Sequence, residues 1–323
     1  MTLLVGVVEG DQPSRDVLGS RPGVHYRFIE PWSQPPADAV DVDALLIWNV
    51  RSGYLREHWS RFTRLRWVHA GSAGVERVLF PELAASDVVL TNSRYIFDEA
   101  LAEYTIGLML TLSKDLYATF KYQTEHRWVQ RESETLSGKA VVMIGVGPIA
   151  RRTAQLAKAL GMSVRGVGQT ARGGDPDFGD IVAPEAMPEL FAKADYVVMV
   201  LPGTPQTAGM VGATELGVLK PTARLINVGR GSTLDQDALC SMLRTGRLAG
   251  AALDVMSPEP LAADSPLWDV PNLIISPHMS GDHTGWQRDI ADLFIRNLER
   301  FQRSEPLLNV VDKRLGYAPS ETP

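Results

Sequence analysis

The chain has 323 residues, enough for two domains of ordinary size. Hydrophobic residues make up 45% and charged residues 22%, so the chain can bury a large core and wholesale disorder is excluded. The net charge is −6, from 32 basic and 38 acidic residues with no block of five like charges, which argues against nucleic acid or an anionic membrane as the main partner.

From the N-terminus, short β-branched runs alternate with helical patterns, the mark of βα units and parallel sheets. Residues 1–10 (MTLLVGVVEG) are apolar but lack the basic start, cleavage site and length of a signal peptide, so a strand is expected at 3–8. Further strands are expected at 44–48 and 88–91, with a weaker one at 66–69, and the PWSQPP break at 31–36 reads as a loop. From 97 to about 122, Leu101, Tyr104, Leu108 and Leu112 recur at three-to-four spacing without Pro. That predicts one long helix joining two α/β blocks.

The second block opens with 140–144, a continuous apolar run of the kind buried on both faces of a parallel sheet. It leads through Gly145-Val-Gly147-Pro148-Ile149-Ala150 into a helix whose apolar stripe reads Ile149, Thr153, Leu156 and Leu160, stopped by Gly161. Strands follow at 163–167, 196–201, 224–228, 249–253 and 273–276, then an amphipathic helix at 290–301 and a polar tail. The longest apolar runs fall far short of the ~20 residues that span a bilayer, so the expected location is the cytoplasm. The single cysteine, Cys240, excludes a disulfide framework, and the six histidines show no metal-binding spacing, so no metal is expected.

The turn Gly145–Ala150 fits G-x-G-x-x-G/A. Its first glycine permits the strand-to-helix turn, its second admits a pyrophosphate, and the small third residue lets helix and strand pack closely. The same fingerprint places an acid at the end of the second strand, on the adenosine ribose. Here that place is held by Gly168, followed by Gln169, Thr170 and Arg172, and no Asp or Glu appears before Asp175. A missing carboxylate removes repulsion against a 2′-phosphate, and a nearby Arg can pair with one, so NADP(H) is preferred and NAD(H) remains usable. Arg230, Asp254, Glu259 and His278 all follow predicted strand ends, where ligands bind in open α/β sheets. An Arg fork suits a carboxylate, a His exchanges a proton near neutral pH, and a Glu beside a His favours its charged form.

In these segments, and in Leu136-Ser-Gly-Lys139, Leu201-Pro202-Gly-Thr204-Pro-Gln-Thr207 and Gly250-Ala-Ala-Leu-Asp254-Val255, the chain resembles the D-isomer-specific 2-hydroxyacid dehydrogenase family. That family includes glyoxylate/hydroxypyruvate reductases and phosphoglycerate dehydrogenases. The resemblance implies an α/β protein of two doubly wound parallel-sheet domains separated by a cleft. A flavodoxin-like substrate domain would comprise 1–96 and 286–323, and a Rossmann cofactor domain 97–285. It implies Arg230, Glu259 and His278 as the catalytic residues. Cofactor contacts would come from Gly145, Gly147, Pro148, Ile149, Gln169, Thr170, Arg172, Leu201, Pro202 and Thr207. Others would come from Val228, Gly229, Ser280, Gly281 and Asp254, the last accepting from the nicotinamide carboxamide. Substrate would meet Val50, Arg51, Ser72, Ala73 and Gly74 as well as Arg230 and His278.

The activity so implied is reduction of a small 2-oxo acid to its D-2-hydroxy acid, with a homodimer formed through the cofactor domain. Pro148 stands where many members carry Arg, and Glu259 in place of Gln speaks against formate. No regulatory domain is expected beyond the last helix. Nucleotide-sensing corepressors share the scaffold and form the alternative class. Trp48, Tyr54 and 95–97 are candidate pocket walls favouring a substrate bulkier than glyoxylate; His283 and Trp286, just past the catalytic His, are further pocket candidates, with interdomain packing the alternative for Trp286.

Overall fold

The computed structural model describes residues 2–10, 15–31 and 41–319. The chain divides into two compact units, Met1–Phe97 with Thr284–Pro323, and Asp98–His283.

The first unit is built on five parallel strands: β1 (Leu3–Val8), β2 (Val24–Ile29), β3 (Ala44–Ile47), β4 (Trp67–Ala70) and β5 (Val89–Asn92). Their order is β2-β1-β3-β4-β5, the flavodoxin-like arrangement. β3 and β4 are buried throughout, so their runs ALLI and WVHA show no alternation. One face packs on the helix Trp286–Gln302, where Trp67 stacks on Phe294 with ring centroids 5.1 Å apart. The opposite face buries Val8, Leu45, Ile47, Tyr54 and Val68. β2 was not anticipated. The PWSQPP stretch beyond Pro31 lies outside the described residues.

The second unit carries eight strands: β6 (Ala140–Ile144), β7 (Ser163–Val167), β8 (Arg172–Asp175), β9 (Gly179–Val182), β10 (Tyr196–Met199), β11 (Arg224–Asn227), β12 (Gly250–Leu253) and β13 (Leu273–Ile275). The order is β13-β12-β11-β10-β6-β7-β9-β8, and every pairing is parallel except β8 with β9. Strand succession reverses beside β6, between β7 and β10. That is the switch point at which doubly wound sheets open a ligand crevice.

Three expectations are corrected here. The long helix is two, Asp98–Lys114 and Leu116–Thr124, because Asp115 between them takes φ 48°, outside the helical region. The helix Pro148–Ala159 buries Ala150, Thr153, Ala154 and Ala157, whereas Leu160 is exposed. Small side chains on this face let it pack closely on Asp98–Lys114. Finally, Arg172 opens an edge strand, β8, where no strand was expected between 163–167 and 196–201. No helix among the described residues is long and apolar enough to cross a membrane.

Candidate active site

In the second unit, loops from the C-terminal ends of six parallel strands carry the candidate residues. After β6, Gly145 takes φ 101°, and a Cβ there would lie 2.6 Å from the Val200 carbonyl oxygen, so only glycine lets the β6 and β10 ends meet. Gly147 begins the helix Pro148–Ala159 without a side-chain cap, and a Cβ on it would meet nothing within 4 Å. Its neighbours Pro148 and Ile149 are half-buried. An uncapped helix start beside open space fits a dinucleotide pyrophosphate, which backbone N–H groups and the helix dipole would hold. After β10, Leu201 and Pro202 are half-buried, and Thr207 staples their loop by donating from Oγ1 to the Pro202 carbonyl at 2.6 Å.

The loop after β11 carries Val228, Gly229 and Arg230. Asn227 holds it at both ends, accepting from Gly229 N at 3.0 Å and donating to the Arg230 carbonyl at 3.0 Å. Thr233 Oγ1 donates to the same carbonyl at 2.7 Å. The Arg230 guanidinium reaches the Gly229 carbonyl at 2.7 Å. Gly231 presses directly on the next loop, since a Cβ there would lie 2.1 Å from the Met256 carbonyl carbon. Met256 N then donates to Glu259 Oε1 at 3.0 Å, and Glu259 Oε2 pairs with His278 Nδ1 at 2.8 Å. Arg230, Glu259 and His278 thus belong to one continuous chain of contacts.

Asp254 stands behind His278. It is fully buried, and its carboxylate accepts from Ser276 Oγ at 2.6 Å, Met279 N at 3.1 Å and Ser280 N at 3.0 Å. Those three donors bracket His278, which adopts φ 55°, a left-handed conformation that costs a non-glycine residue energy. The carboxylate therefore holds the turn that presents the imidazole. Sequence reasoning missed this, along with the clamp by Asn227 and Thr233. The spacing Asn227-Val-Gly229 did contain the signal of an Asn closing a turn on the residue two ahead.

Toward the other edge, Gln169, Thr170 and Arg172 are exposed beyond β7. Arg172 lies 3.6 Å from Asp175, whose side chain is buried. Asp175 is taken by the Arg151 guanidinium at 2.9 and 2.7 Å and by the N–H groups of Asp177 and Phe178. Arg151 accordingly holds the Asp175 carboxyl down at about 2. Gly168 has a packing reason as well as an electrostatic one. A Cβ there would sit 3.0 Å from Ile181 and 3.1 Å from Val146, so an Asp at this position also meets crowding.

In the first unit, Asn49 Oδ1 accepts from Arg51 N at 3.0 Å, and Ser52 Oγ donates to the Asn49 carbonyl, shaping the turn that presents Val50 and the exposed Arg51. Ser72, Ala73 and Gly74 form a half-buried loop after β4, where Ser72 Oγ donates to the Gly74 carbonyl at 2.6 Å. Tyr54, expected as a pocket wall, is instead 1% exposed within the core. Trp286 approaches Phe97, with ring centroids 6.4 Å apart. Among the described residues no group of three or more His, Cys, Asp or Glu is placed to hold a metal ion.

The family model for the D-isomer specific 2-hydroxyacid dehydrogenase NAD binding domain matches residues 106–280. The glyoxylate reductase of Thermococcus gammatolerans is 29% identical over 286 residues, covering 85% of this chain and 84% of that one. A D-isomer specific 2-hydroxyacid dehydrogenase from Xanthobacter autotrophicus, solved with NADPH and MES, superposes with a TM-score of 0.81 at 28% identity over 98% of this chain and 100% of that one. An NADPH-dependent glyoxylate/hydroxypyruvate reductase from Sinorhizobium meliloti, solved with NADP and sulfate, gives 0.84 at 25% identity over 98% and 100%. The chain belongs to the D-isomer specific 2-hydroxyacid dehydrogenase family and is an NAD(P)-dependent dehydrogenase.

Proposed function

We propose that the enzyme reduces a small 2-oxo acid, of the glyoxylate or hydroxypyruvate type, to the D-2-hydroxy acid with NADPH. The 2.8 Å pairing of His278 Nδ1 with Glu259 carries this reading. Glu259 occupies one ring nitrogen, so the transferred proton belongs on Nε2 of a ring whose side chain is 33% exposed. When bound, the nicotinamide would supply the hydride for C2 of the substrate. Arg230 holds the substrate carboxylate and carbonyl oxygen with its planar fork, and His278 then delivers the proton to that oxygen. The N–H groups of the 72–74 loop and the 50–51 turn are assigned to the substrate carboxylate as well.

The preference for NADPH is supported by the region after β7. Gly168 offers no carboxylate to a ribose, and the first acid beyond it, Asp175, is engaged by Arg151. Arg172, with a side chain 46% exposed and steadied by Asp175, would pair with the 2′-phosphate. Two relatives of this fold were solved with NADPH or NADP. The test is kcat/KM for glyoxylate, hydroxypyruvate and larger 2-oxo acids with each cofactor. NADPH should be favoured, and Arg172→Ala should weaken NADPH use about tenfold or more while sparing NADH. Equal kinetics with both cofactors would remove the NADPH assignment, and no turnover of any 2-oxo acid would remove the reaction.

The dimer is proposed on the helix Leu116–Thr124 and the segment after it. Tyr117, Phe120 and Trp128 are 71%, 61% and 101% exposed there, an apolar face that a second copy would cover. Light scattering should report a dimer that Phe120→Glu with Trp128→Glu converts to monomer.

A further inference from the structure

His69, in β4, is fully buried and takes no part in the chemistry above. Its Nδ1 lies 2.7 Å from Thr91 Oγ1 and its Nε2 lies 3.2 Å from Ser93 Oγ. The positions of the protons follow from the partners. Trp67 Nε1, which can only donate, gives its hydrogen to Thr91 Oγ1 at 2.8 Å. Thr91 passes its own hydrogen to His69 Nδ1, since its other acceptor, the Val68 carbonyl, is 3.5 Å away. The neutral ring therefore carries its proton on Nε2 and donates to Ser93 Oγ, which donates in turn to the Ala70 carbonyl at 3.0 Å. The relay has one direction, from Trp67 to Ala70.

Its far end is the 71–74 loop. Ser93 N donates to the Ser72 carbonyl at 2.9 Å, and Asn92 Nδ2 donates to the Ala73 carbonyl at 2.6 Å. The loop is thus hung from residues 92 and 93, and the Ser93 hydroxyl is aimed by His69. We propose that His69 is a positioning residue for substrate: through Ser93 it holds the 71–74 loop in the shape that receives the 2-oxo acid carboxylate. The inference rests on the reading that this loop binds the carboxylate. It assigns His69 an effect on substrate KM, because contacts to a carboxylate that persists unchanged through the reaction act on ground and transition states alike.

Two isosteres separate the arms of the relay. Asn at position 69 keeps an acceptor for Thr91 but does not reach Ser93, whereas Gln keeps a donor for Ser93. With glyoxylate as substrate, His69→Asn should raise KM about tenfold, the worth of one hydrogen bond, with kcat and NADPH Kd changed less than about threefold. His69→Gln should keep KM within about threefold of wild type. Ser93→Ala, which keeps the histidine, should reproduce the Asn effect, and combining Ser93→Ala with His69→Asn should add nothing further. Equal KM values for the Asn and Gln variants, or an unchanged KM in Ser93→Ala, would overturn the role. Ala73→Asp places a charge in the loop itself. If it raises KM while His69→Asn does not, the relay alone is wrong; if it leaves KM unchanged, the loop does not bind the carboxylate and both readings fall.

Discussion

The placement of Asp254 leads to a prediction that separates two roles for this residue. The resemblance assigns it to the nicotinamide carboxamide, whereas the geometry gives both its oxygens to the turn carrying His278. In Asp254→Asn the amide oxygen can keep the Ser276 hydroxyl and Met279 N–H. The amide nitrogen then faces Ser280 N–H, donor against donor, in a site with no solvent exposure. Two unsatisfied buried donors cost roughly 2–6 kcal/mol together. The turn can escape that cost by opening, and His278, held at φ 55°, has strain to release when it does. At the lower figure of about 2 kcal/mol, the ratio of presented to displaced imidazole falls about thirtyfold. Steady-state kcat for 2-oxo acid reduction should therefore fall, by up to about thirtyfold at that figure, while NADPH Kd, read from its fluorescence, changes less than about threefold. Retained kcat with a large rise in Kd would refute the reasoning and return Asp254 to the cofactor.

His278→Ala should lower kcat by roughly 10²–10⁴-fold with NADPH binding intact, and a variant keeping more than about a third of wild-type turnover would exclude His278 as proton donor. Burial pushes the His69 pKa from 6.5 down to about 3. Below 6.5 the unfolded chain gains a proton that the folded one refuses, so stability is complete above that value and falls as pH drops toward 3. Between pH 7 and 5 the loss is about 2 kcal/mol, or about 2–4 °C in Tm, and His69→Gln should lack this portion in thermal scans at the two pH values; equal acid sensitivity of wild type and variant would contradict a neutral His69. Tyr54 buries a hydroxyl with no hydrogen-bond partner among the described residues, so Tyr54→Phe should leave stability unchanged or raise it by about 1 kcal/mol. A Tm fall of several degrees would show that the hydroxyl has a partner.

What was legible followed the chemistry of burial. β6 and its glycine turn stood out because a strand covered on both faces must be apolar throughout, and Gly145 has no room for a side chain. β2 carried its own signal, V-H-Y-R-F-I alternating at period two, but as a half-exposed edge strand it offers no continuous apolar run. β8 and β9 read R-G-G-D and G-D-I-V, in which pairing rests on backbone hydrogen bonds that leave little mark on side-chain pattern. The helix after β6 misled in the opposite sense. A hydrophobic count selects Leu156 and Leu160, whereas close helix packing selects Ala150, Ala154 and Ala157.

The candidate site divides along the same line. Arg230, Glu259 and His278 could be singled out because Arg, Glu and His are uncommon at successive strand ends without a use there, and parallel topology brings such ends to one edge. Their mutual placement could not be read, because it depends on residues with no conspicuous chemistry. Gly231 lets two loops touch backbone to backbone, Met256 N orients Glu259, and Asn227 and Thr233 hold the Arg230 carbonyl. Asp254 was conspicuous, but its hold on the turn could not be read, because a buried carboxylate reads the same in sequence whether it faces a ligand, a turn or both. The difference lies in which N–H groups converge on it, and those are supplied by residues more than twenty positions away. Sequence therefore identifies the groups able to do the chemistry. The folded loops determine whether those groups are held still enough to do it.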